Sequence, residues 1–180
     1  MARTVFMLTF LCALLIFSAA GTDTGSCMQE DREKGQPEEK SKEAEKIILG
    51  MTCPERITGF NEATKQNFET YEPSSEALAF LKGIDQPVTI EVFYGSWCSD
   101  SIREVPRFIK IMDLVKNKNL QITFIGVDRS KKQPAEKTEG KNIEFVPTFI
   151  VLRDGKEAGR IIESPKVSLE QDLADILKKK

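Results

Sequence analysis

The 180-residue sequence predicts an α/β domain in which helices cover both faces of a mixed central β-sheet. Two observations point to this fold class. β-Rich apolar runs at 87–94 and 120–127 enclose an amphipathic helical pattern, which is typical of a parallel β-α-β unit. Two further β-rich runs, at 147–152 and 157–162, precede a last helical pattern and complete an antiparallel ββα unit.

The first helices and strands have clear local signals. The Pro-Ser-Ser run at 73–75 opens a short helix, and Gly83 ends it. The strand at 87–94 is largely apolar, as expected of a strand that is buried on both faces. A long helix follows Cys98, and Pro106 within it is expected to kink it. Residues 47–72 contain several aromatic residues, but no pattern there assigns an element.

The second half of the domain is bounded by turn and capping residues. Asp154-Gly155 predicts a hairpin between the third and fourth strands. Ser168, with Gln171 three residues later, predicts the start of the last helix by a capping box. These signals give four strands in a mixed sheet.

Residues 1–46 are expected to lie outside the domain at 47–180. Arg3 precedes an apolar run at 5–17 that ends in small residues, the pattern of a secretory signal peptide at 1–20. That run is shorter than a membrane span, which needs about 20 residues. Residues 21–46 are mostly charged, which predicts a flexible linker.

This N-terminus predicts an exported protein, either periplasmic or extracellular, in a compartment where thiols can form disulfides. Membrane contact is expected only if the N-terminal segment is retained or if Cys27, which follows two small residues, carries a lipid. We expect a monomer.

The composition excludes several kinds of site. The chain has no histidine, which excludes Ser-His and Cys-His catalysis and every histidine-containing metal site. Its four cysteines form no CxxC pair, and it has no glycine-rich phosphate loop. The net charge of −2 gives no reason to expect nucleic-acid binding. We therefore expect no cofactor, no metal and no nucleic-acid partner.

A short motif follows the first of these strands. The run FYGSWCSDS leads into the long helix, and the run EFVPTFIVLRDGKEAGRI contains Val146-Pro147 and the hairpin. With these runs in this order, residues 87–178 resemble the thioredoxin superfamily, and the chain is most similar to exported thioredoxin-like proteins with a WCxDS segment. The resemblance implies a thioredoxin-like fold, whose first strand and helix would lie within 47–86, and a cis peptide bond before Pro147.

The resemblance also implies a thiol site. Cys98 would stand at a helix N-terminus, where backbone N–H groups and the helix dipole favour a thiolate. Trp97 would shield the sulfur, and the Ser101 hydroxyl could donate a hydrogen bond to it. Pro147 would present the backbone of Val146 to an extended substrate. The candidate catalytic residues are Cys98, Ser101, Trp97 and Pro147, and the candidate substrate-binding residues are Val146, Thr148 and Asp100.

Two departures from the family pattern shape the functional prediction. Ser101 replaces the second cysteine of CxxC, and Val92 stands where redox-active members often have aspartate. The sequence therefore predicts a monothiol thiol–disulfide oxidoreductase, acting on protein or low-molecular-weight thiols and disulfides through a mixed disulfide at Cys98. The alternative is a non-catalytic binding module that recognises extended segments beside Pro147. A further alternative is that Cys53 resolves Cys98. Whether Cys53 pairs with Cys98 or with Cys27 stays open, as does the direction of electron flow.

Overall fold

The structure, a computed structural model, describes residues 47–179. The predicted signal peptide (1–20), the predicted linker (21–46) and Lys180 lie outside the described residues. Within 47–179, no helix combines the length and the apolar character that crossing a membrane requires. The elements in chain order are β1 (Gly50–Thr52), α1 (Pro54–Thr58), α2 (Glu62–Thr70), α3 (Ser75–Lys82), β2 (Val88–Tyr94), α4 (Ser99–Val115), β3 (Leu120–Gly126), α5 (Ala135–Thr138), β4 (Thr148–Arg153), β5 (Lys156–Ile162) and α6 (Leu169–Lys178).

The strands form one mixed sheet in the order β1-β3-β2-β4-β5. β2 and β3 run parallel, from the pair Val88–Leu120 to the pair Tyr94–Gly126. β4 is antiparallel to β2, β5 is antiparallel to β4, and β1 is antiparallel to β3. This confirms the predicted α/β class with a mixed sheet, and the four predicted strands become β2 to β5.

One side of the sheet, which we call the helix face, contributes Val88, Ile90 and Val92 of β2 to a large hydrophobic cluster. Alternate side chains of a strand point to opposite sides, so these three residues share one face. The helices fill the other half of this cluster, mainly with side chains of α4 and α6. Phe108 of α4 is at its centre, with its ring centroid 5.0 Å from that of Phe149.

The opposite side, which we call the second face, has a much smaller core. Phe93, Ile125 and Ile150 are buried there with Val127 and Val146. The segment between β3 and β4, which contains the one-turn helix α5, covers part of this face through Ile143 and Val146. Helices therefore cover the two faces of the sheet unequally. Of the helices in the described residues, the segment that covers the second face contains only the short helix α5.

The region that the sequence left unassigned contains β1, α1 and α2. Asn61 caps α2 in a reciprocal capping box, because its side chain accepts from Thr64 N–H while the Thr64 hydroxyl accepts from Asn61 N–H. Pro54 occupies the first turn of α1 directly after its N-cap residue Cys53. β1 adds a fifth strand, which no local pattern located but which lies within 47–86, where the resemblance placed the family's first strand.

The predicted helix boundaries and the hairpin are confirmed. α3 has Ser74 as its N-cap and Gly83 as its C-cap. The side chain of Ser168 accepts from the N–H of Gln171 at 3.3 Å, which caps α6. α4 continues through Pro106 from Ser99 to Val115.

Candidate functional site

Cys98 lies between the end of β2 and the start of α4. It is the N-cap residue of α4, and among residues 47–179 it is a free thiol that is half-buried. Its main-chain N–H donates to the carbonyl of Gly95 at 2.9 Å, and its own carbonyl accepts from Ile102 N–H at 2.9 Å. These two bonds fix the sulfur at the first turn of the helix.

The sulfur of Cys98 contacts the segment that precedes β4. Its Sγ donates to the carbonyl oxygen of Val146, with 3.2 Å between the two atoms. The thiol therefore lies between the N-terminus of α4 and a backbone carbonyl of the neighbouring segment.

The Val146–Pro147 peptide bond is cis. The side chain of Val146 is buried in the core of the second face, and the carbonyl of Pro147 accepts from the N–H of Glu163 at 2.7 Å. This bond joins the start of β4 to the end of β5. Two large apolar side chains are exposed here, Phe145 and Ile162, which pairs with Thr148 across the strands. An apolar surface therefore lies beside the proline.

Three neighbours hold Trp97. Its indole Nε1 donates to the carbonyl of Val127 at 3.1 Å, and the Arg129 guanidinium lies 5.2 Å from the ring centroid. A Cβ atom at Gly95 would come within 2.6 Å of the indole, so only glycine fits there without a shift. The ring is half-buried and packs against the core of the second face, as Cys98 does.

The loop after β3 is ordered by Asp128. Its carboxylate accepts from the Ser130 hydroxyl at 2.6 Å and from the main-chain N–H groups of Lys132 and Gln133 at 3.0 Å. The Ser130 bond, with the two main-chain bonds, lowers the pKa of Asp128 to about 2. Because Asp128 follows Val127, these bonds fix the chain next to the carbonyl that holds Trp97.

Ser101 is buried beneath the site, with 2% of its surface exposed. Its hydroxyl oxygen accepts from the N–H of Gly95 at 3.1 Å. The described residues form no hydrogen bond between Ser101 and Cys98 Sγ, so the expected donation to the sulfur is replaced by this bond to the loop. Ser101 therefore supports the turn that precedes Cys98.

The two remaining predicted substrate contacts are engaged elsewhere. Thr148 is buried, and its hydroxyl donates to the carbonyl of Phe145 at 2.7 Å, so its substrate contact stays a prediction. Asp100 is half-buried and lies 2.8 Å from the guanidinium of Arg103. Arg103 also donates to the hydroxyl of Ser164, which connects α4 to the chain after β5.

The structure brings together Cys98, Val146, Pro147 and Trp97. Sequence reasoning missed Gly95, Ser96 and Arg129. The buried hydroxyl of Ser96 accepts from the N–H of Ile48 at 3.0 Å and ties the first described residues to the site. The sequence held one signal for these residues. Gly95 and Ser96 before Trp97 are small, which allows the indole to lie close to the backbone. In the described part of the chain, no group of three or more cysteine or acidic side chains could hold a metal ion.

Cys53 is disulfide-bonded, whereas Cys98 is free. The alternative in which Cys53 is joined to Cys98 is therefore wrong for this structure. Cys27 lies outside the described residues, so a Cys27–Cys53 pair stays a prediction.

Comparisons with known proteins converge on one family. A sequence profile described as Thioredoxin matches residues 53–175. The chain is 28% identical over 106 residues to putative thioredoxin-5 of Dictyostelium discoideum, covering 59% of this chain and 97% of that protein. It is 32% identical over 107 residues to chloroplastic thioredoxin Y1 of Arabidopsis thaliana, covering 59% and 53%.

Two further similarities complete the comparison. Thioredoxin H-type 1 of Nicotiana tabacum is 32% identical over 98 residues, covering 52% of this chain and 71% of that protein. Among solved structures, a protein of unknown function from Pseudomonas aeruginosa aligns with a TM-score of 0.48 at 17% identity, covering 69% of this chain and 81% of that one.

Proposed function

This chain belongs to the thioredoxin family, and from that premise we propose that it is an exported monothiol thiol–disulfide oxidoreductase. Its substrates are protein or low-molecular-weight thiols and disulfides, and its chemistry passes through a mixed disulfide at Cys98. One observation carries the proposal. The free Cys98 thiol stands at the N-terminus of α4, with Sγ 3.2 Å from the carbonyl of Val146, directly before the cis bond to Pro147.

The proposed reaction is an exchange of disulfide bonds. The Cys98 thiolate attacks one sulfur of a substrate disulfide, a bond forms between the two sulfurs, and the other substrate sulfur leaves as a thiolate that takes up a proton. A second thiol, for which we propose glutathione, then attacks the mixed disulfide and displaces Cys98 as a thiolate. The substrate disulfide is replaced by a substrate–glutathione disulfide and a free substrate thiol, so the electron count balances.

The need for an external thiol follows from the residues around Cys98. Ser101 occupies the position from which a second cysteine would attack the mixed disulfide. Cys53 is engaged in another disulfide. Val92 is fully buried on the helix face and offers no proton acceptor. The mixed disulfide is therefore expected to persist until an external thiol arrives.

Export is part of the proposal. The pattern at residues 1–20 supports a cleaved signal peptide, and the disulfide at Cys53 suits an oxidising compartment, periplasmic or extracellular. In the proposed organisation residues 21–46 link the signal to the domain at 47–180. If Cys12 is removed with the signal, Cys27 is the remaining partner for Cys53 within one chain. A non-reducing peptide map of the exported protein would identify this pair.

The test is the reduction of insulin disulfides in the presence of glutathione. The full exported protein is compared with its Cys98→Ser variant and with glutathione alone. We expect the wild type to accelerate the reaction and the variant to match glutathione alone. The variant should retain the wild-type fluorescence of Trp97, which shows that the site is folded. Equal rates for wild type and Cys98→Ser would refute the oxidoreductase.

The second candidate is a binding module without turnover. The exposed side chains of Phe145 and Ile162 beside Pro147 favour it, because they offer an apolar surface to an extended segment whether or not Cys98 reacts. The same Cys98→Ser variant separates the two functions. A binding module would hold its partner equally well without the thiol, and the partner would be recovered without a disulfide in non-reducing mass spectrometry.

A further inference from the structure

The chain that leads into Val146 has little regular structure of its own. Residues 141–146, which we call the lip segment, follow α5 and end at the carbonyl that contacts Cys98 Sγ. Asn142 has a φ of 53°, so the backbone turns sharply at the start of the segment. The position of Val146 against the thiol therefore depends on what holds this segment to the sheet.

An ion pair holds the first residue of the lip segment. Lys141 Nζ lies 2.5 Å from Oε2 of Glu91, and the two side chains are 33% and 21% exposed. Glu91 belongs to the central strand β2, and it pairs with Ile150 of β4, which points to the second face. Water reaches this pair less than it reaches a surface pair, so the attraction is screened less.

A second charged side chain holds the backbone of the same segment. Arg160 Nη1 donates to the carbonyls of Lys141 at 3.1 Å and of Asn142 at 3.4 Å. Its Nε and Nη2 donate to the two carboxylate oxygens of Glu157, each at 2.6 Å. A two-point contact of this kind fixes the guanidinium plane. Arg160 is therefore a rigid support from β5 beneath the start of the lip segment.

We propose that the Glu91–Lys141 pair, with Arg160, positions the lip segment for reaction with extended protein substrates at Cys98. This proposal rests on the proposed oxidoreductase function and adds positioning residues to it. The pair lies on the second face, away from the large core of the helix face. Its effect reaches the thiol through the chain from Lys141 to Val146, and neither side chain contacts the sulfur.

Two kinds of substrate should respond differently to loss of the ion pair. A protein disulfide must align its extended chain with the backbone of the lip segment before its sulfur reaches Cys98. Displacement of the lip segment should therefore lower the rate of this reaction. A small aromatic disulfide such as dithionitrobenzoate needs only access to the sulfur. Loss of the ion pair should therefore slow the first reaction and leave the second nearly unchanged.

The experiment measures the rate of mixed-disulfide formation at Cys98 with insulin and with dithionitrobenzoate in the full exported protein. We expect Lys141→Met to lower the insulin rate about tenfold, while the dithionitrobenzoate rate stays within about twofold. Lys132→Met is the matched control, because Lys132 is an exposed lysine in the same connection between β3 and β4. It should leave both rates at the wild-type value.

A charge exchange tests the pair itself. The double variant Glu91→Lys with Lys141→Glu keeps opposite charges at the two positions and should recover most of the insulin rate lost in Lys141→Met. The positioning role is wrong if Lys141→Met reacts with insulin as wild type does, or if both rates fall equally and the exchange restores neither. Failure of the proposed function itself gives a different result, because Cys98→Ser would then match wild type.

Discussion

Within residues 47–179 the helix face of the sheet buries a cluster of twenty hydrophobic residues, whereas the second face buries a cluster of five. The first cluster takes its side chains from helices and strands throughout the domain. The second takes them from the three strands β2, β3 and β4 and from the chain between β3 and β4. Since stabilisation by the hydrophobic effect scales with buried apolar area, most of the hydrophobic stabilisation of the described residues comes from the helix face.

The thiol lies where the two faces meet. Cys98 packs against the small cluster of the second face, but the helix that it caps sends Val105 and Phe108 into the large cluster. A rigid helix thus supplies a fixed N-terminus for the sulfur, while on the lightly covered face Phe145, next to the buried Val146, is exposed. The comparison suggests that the helix face sets stability and that the second face sets the reaction.

The largest effect should come from truncating the centre of the helix-face core. Phe108 is 1% exposed, and its ring packs against those of Phe124 and Phe149. We expect Phe108→Ala to lower the free energy of unfolding by about 3–5 kcal/mol, because the cavity adds to the lost burial. Denaturant unfolding measures this loss. The insulin rate per folded molecule should stay close to that of wild type.

Phe93→Ala is the matched variant on the second face, since Phe93 is fully buried there. Its cluster contains Val146 and contacts Cys98. We therefore expect this variant to lose insulin rate per folded molecule as well as stability. If the two variants change the rate per folded molecule equally, the division of roles between the faces is wrong.

A smaller effect is expected at Gly95, below the indole of Trp97. An added Cβ would lie 2.6 Å from Cε2 of the ring, which is too close for any real contact. Gly95→Ala should displace Trp97 and cost about 1–3 kcal/mol of unfolding free energy, the range for an overpacked site. Trp97 is the one tryptophan in the chain, so its fluorescence reports the displacement directly. An unchanged emission spectrum would count against this packing.

Gly83→Ala is a useful control for Gly95→Ala. The nearest atom to a Cβ at Gly83 is the carbonyl oxygen of Phe80 at 3.4 Å, an ordinary contact distance. The control therefore adds the same methyl group without the clash and should leave the fluorescence of Trp97 unchanged.

The fold was predictable from sequence wherever a pattern was long enough. β2 to β5, α4 and α6 each show periodic apolar residues or a cap, and these signals act locally. β1 has three residues and forms only through pairing with the distant β3, so no local signal announces it. The thin cover of the second face was equally hidden, because a few apolar residues such as Ile143 in a polar loop provide it.

The candidate site was likewise predictable only where its signals are local. The motif around Cys98 and the Val-Pro pair at 146–147 are short local patterns that a family resemblance can locate. Side-chain directions are not local. The hydroxyl of Thr148 turns inward to the carbonyl of Phe145, and Ser101 bonds to Gly95 and not to the sulfur. Such choices depend on which backbone groups the folded chain leaves without partners, and no pattern in the sequence records them.

The smallest expected effect concerns a buried carboxylate among the helices. Glu170 of α6 is 2% exposed, and it accepts from the Tyr71 hydroxyl at 2.8 Å and from the main-chain N–H of Ser74 at 3.0 Å. Burial by itself raises the pKa of Glu170, but the bonds from Ser74 and Tyr71 outweigh it and hold the pKa below its ordinary value of 4.5. Burial and the bond to Glu170 raise the pKa of Tyr71, which therefore stays protonated as a donor.

The sign of the pH dependence follows from this lowered pKa. The ionised Glu170 contributes stability that is fully present above the pKa of the unfolded chain and is lost as the pH falls through the lower pKa of the folded protein. We expect Glu170→Gln to cost about 1–2 kcal/mol at pH 7, as for a weakened bond to a charged group. The gap to wild type should narrow as the solution is acidified below the ordinary value of 4.5. Thermal unfolding across pH measures the gap, and Glu69→Gln, at an exposed position of α2, controls for the lost charge.

The insulin rate per folded molecule of Glu170→Gln should not change, because Glu170 lies among the helices. A constant gap at all pH values would show that the carboxylate's charge contributes nothing, and a lowered insulin rate would mean that the helix face also acts on the reaction.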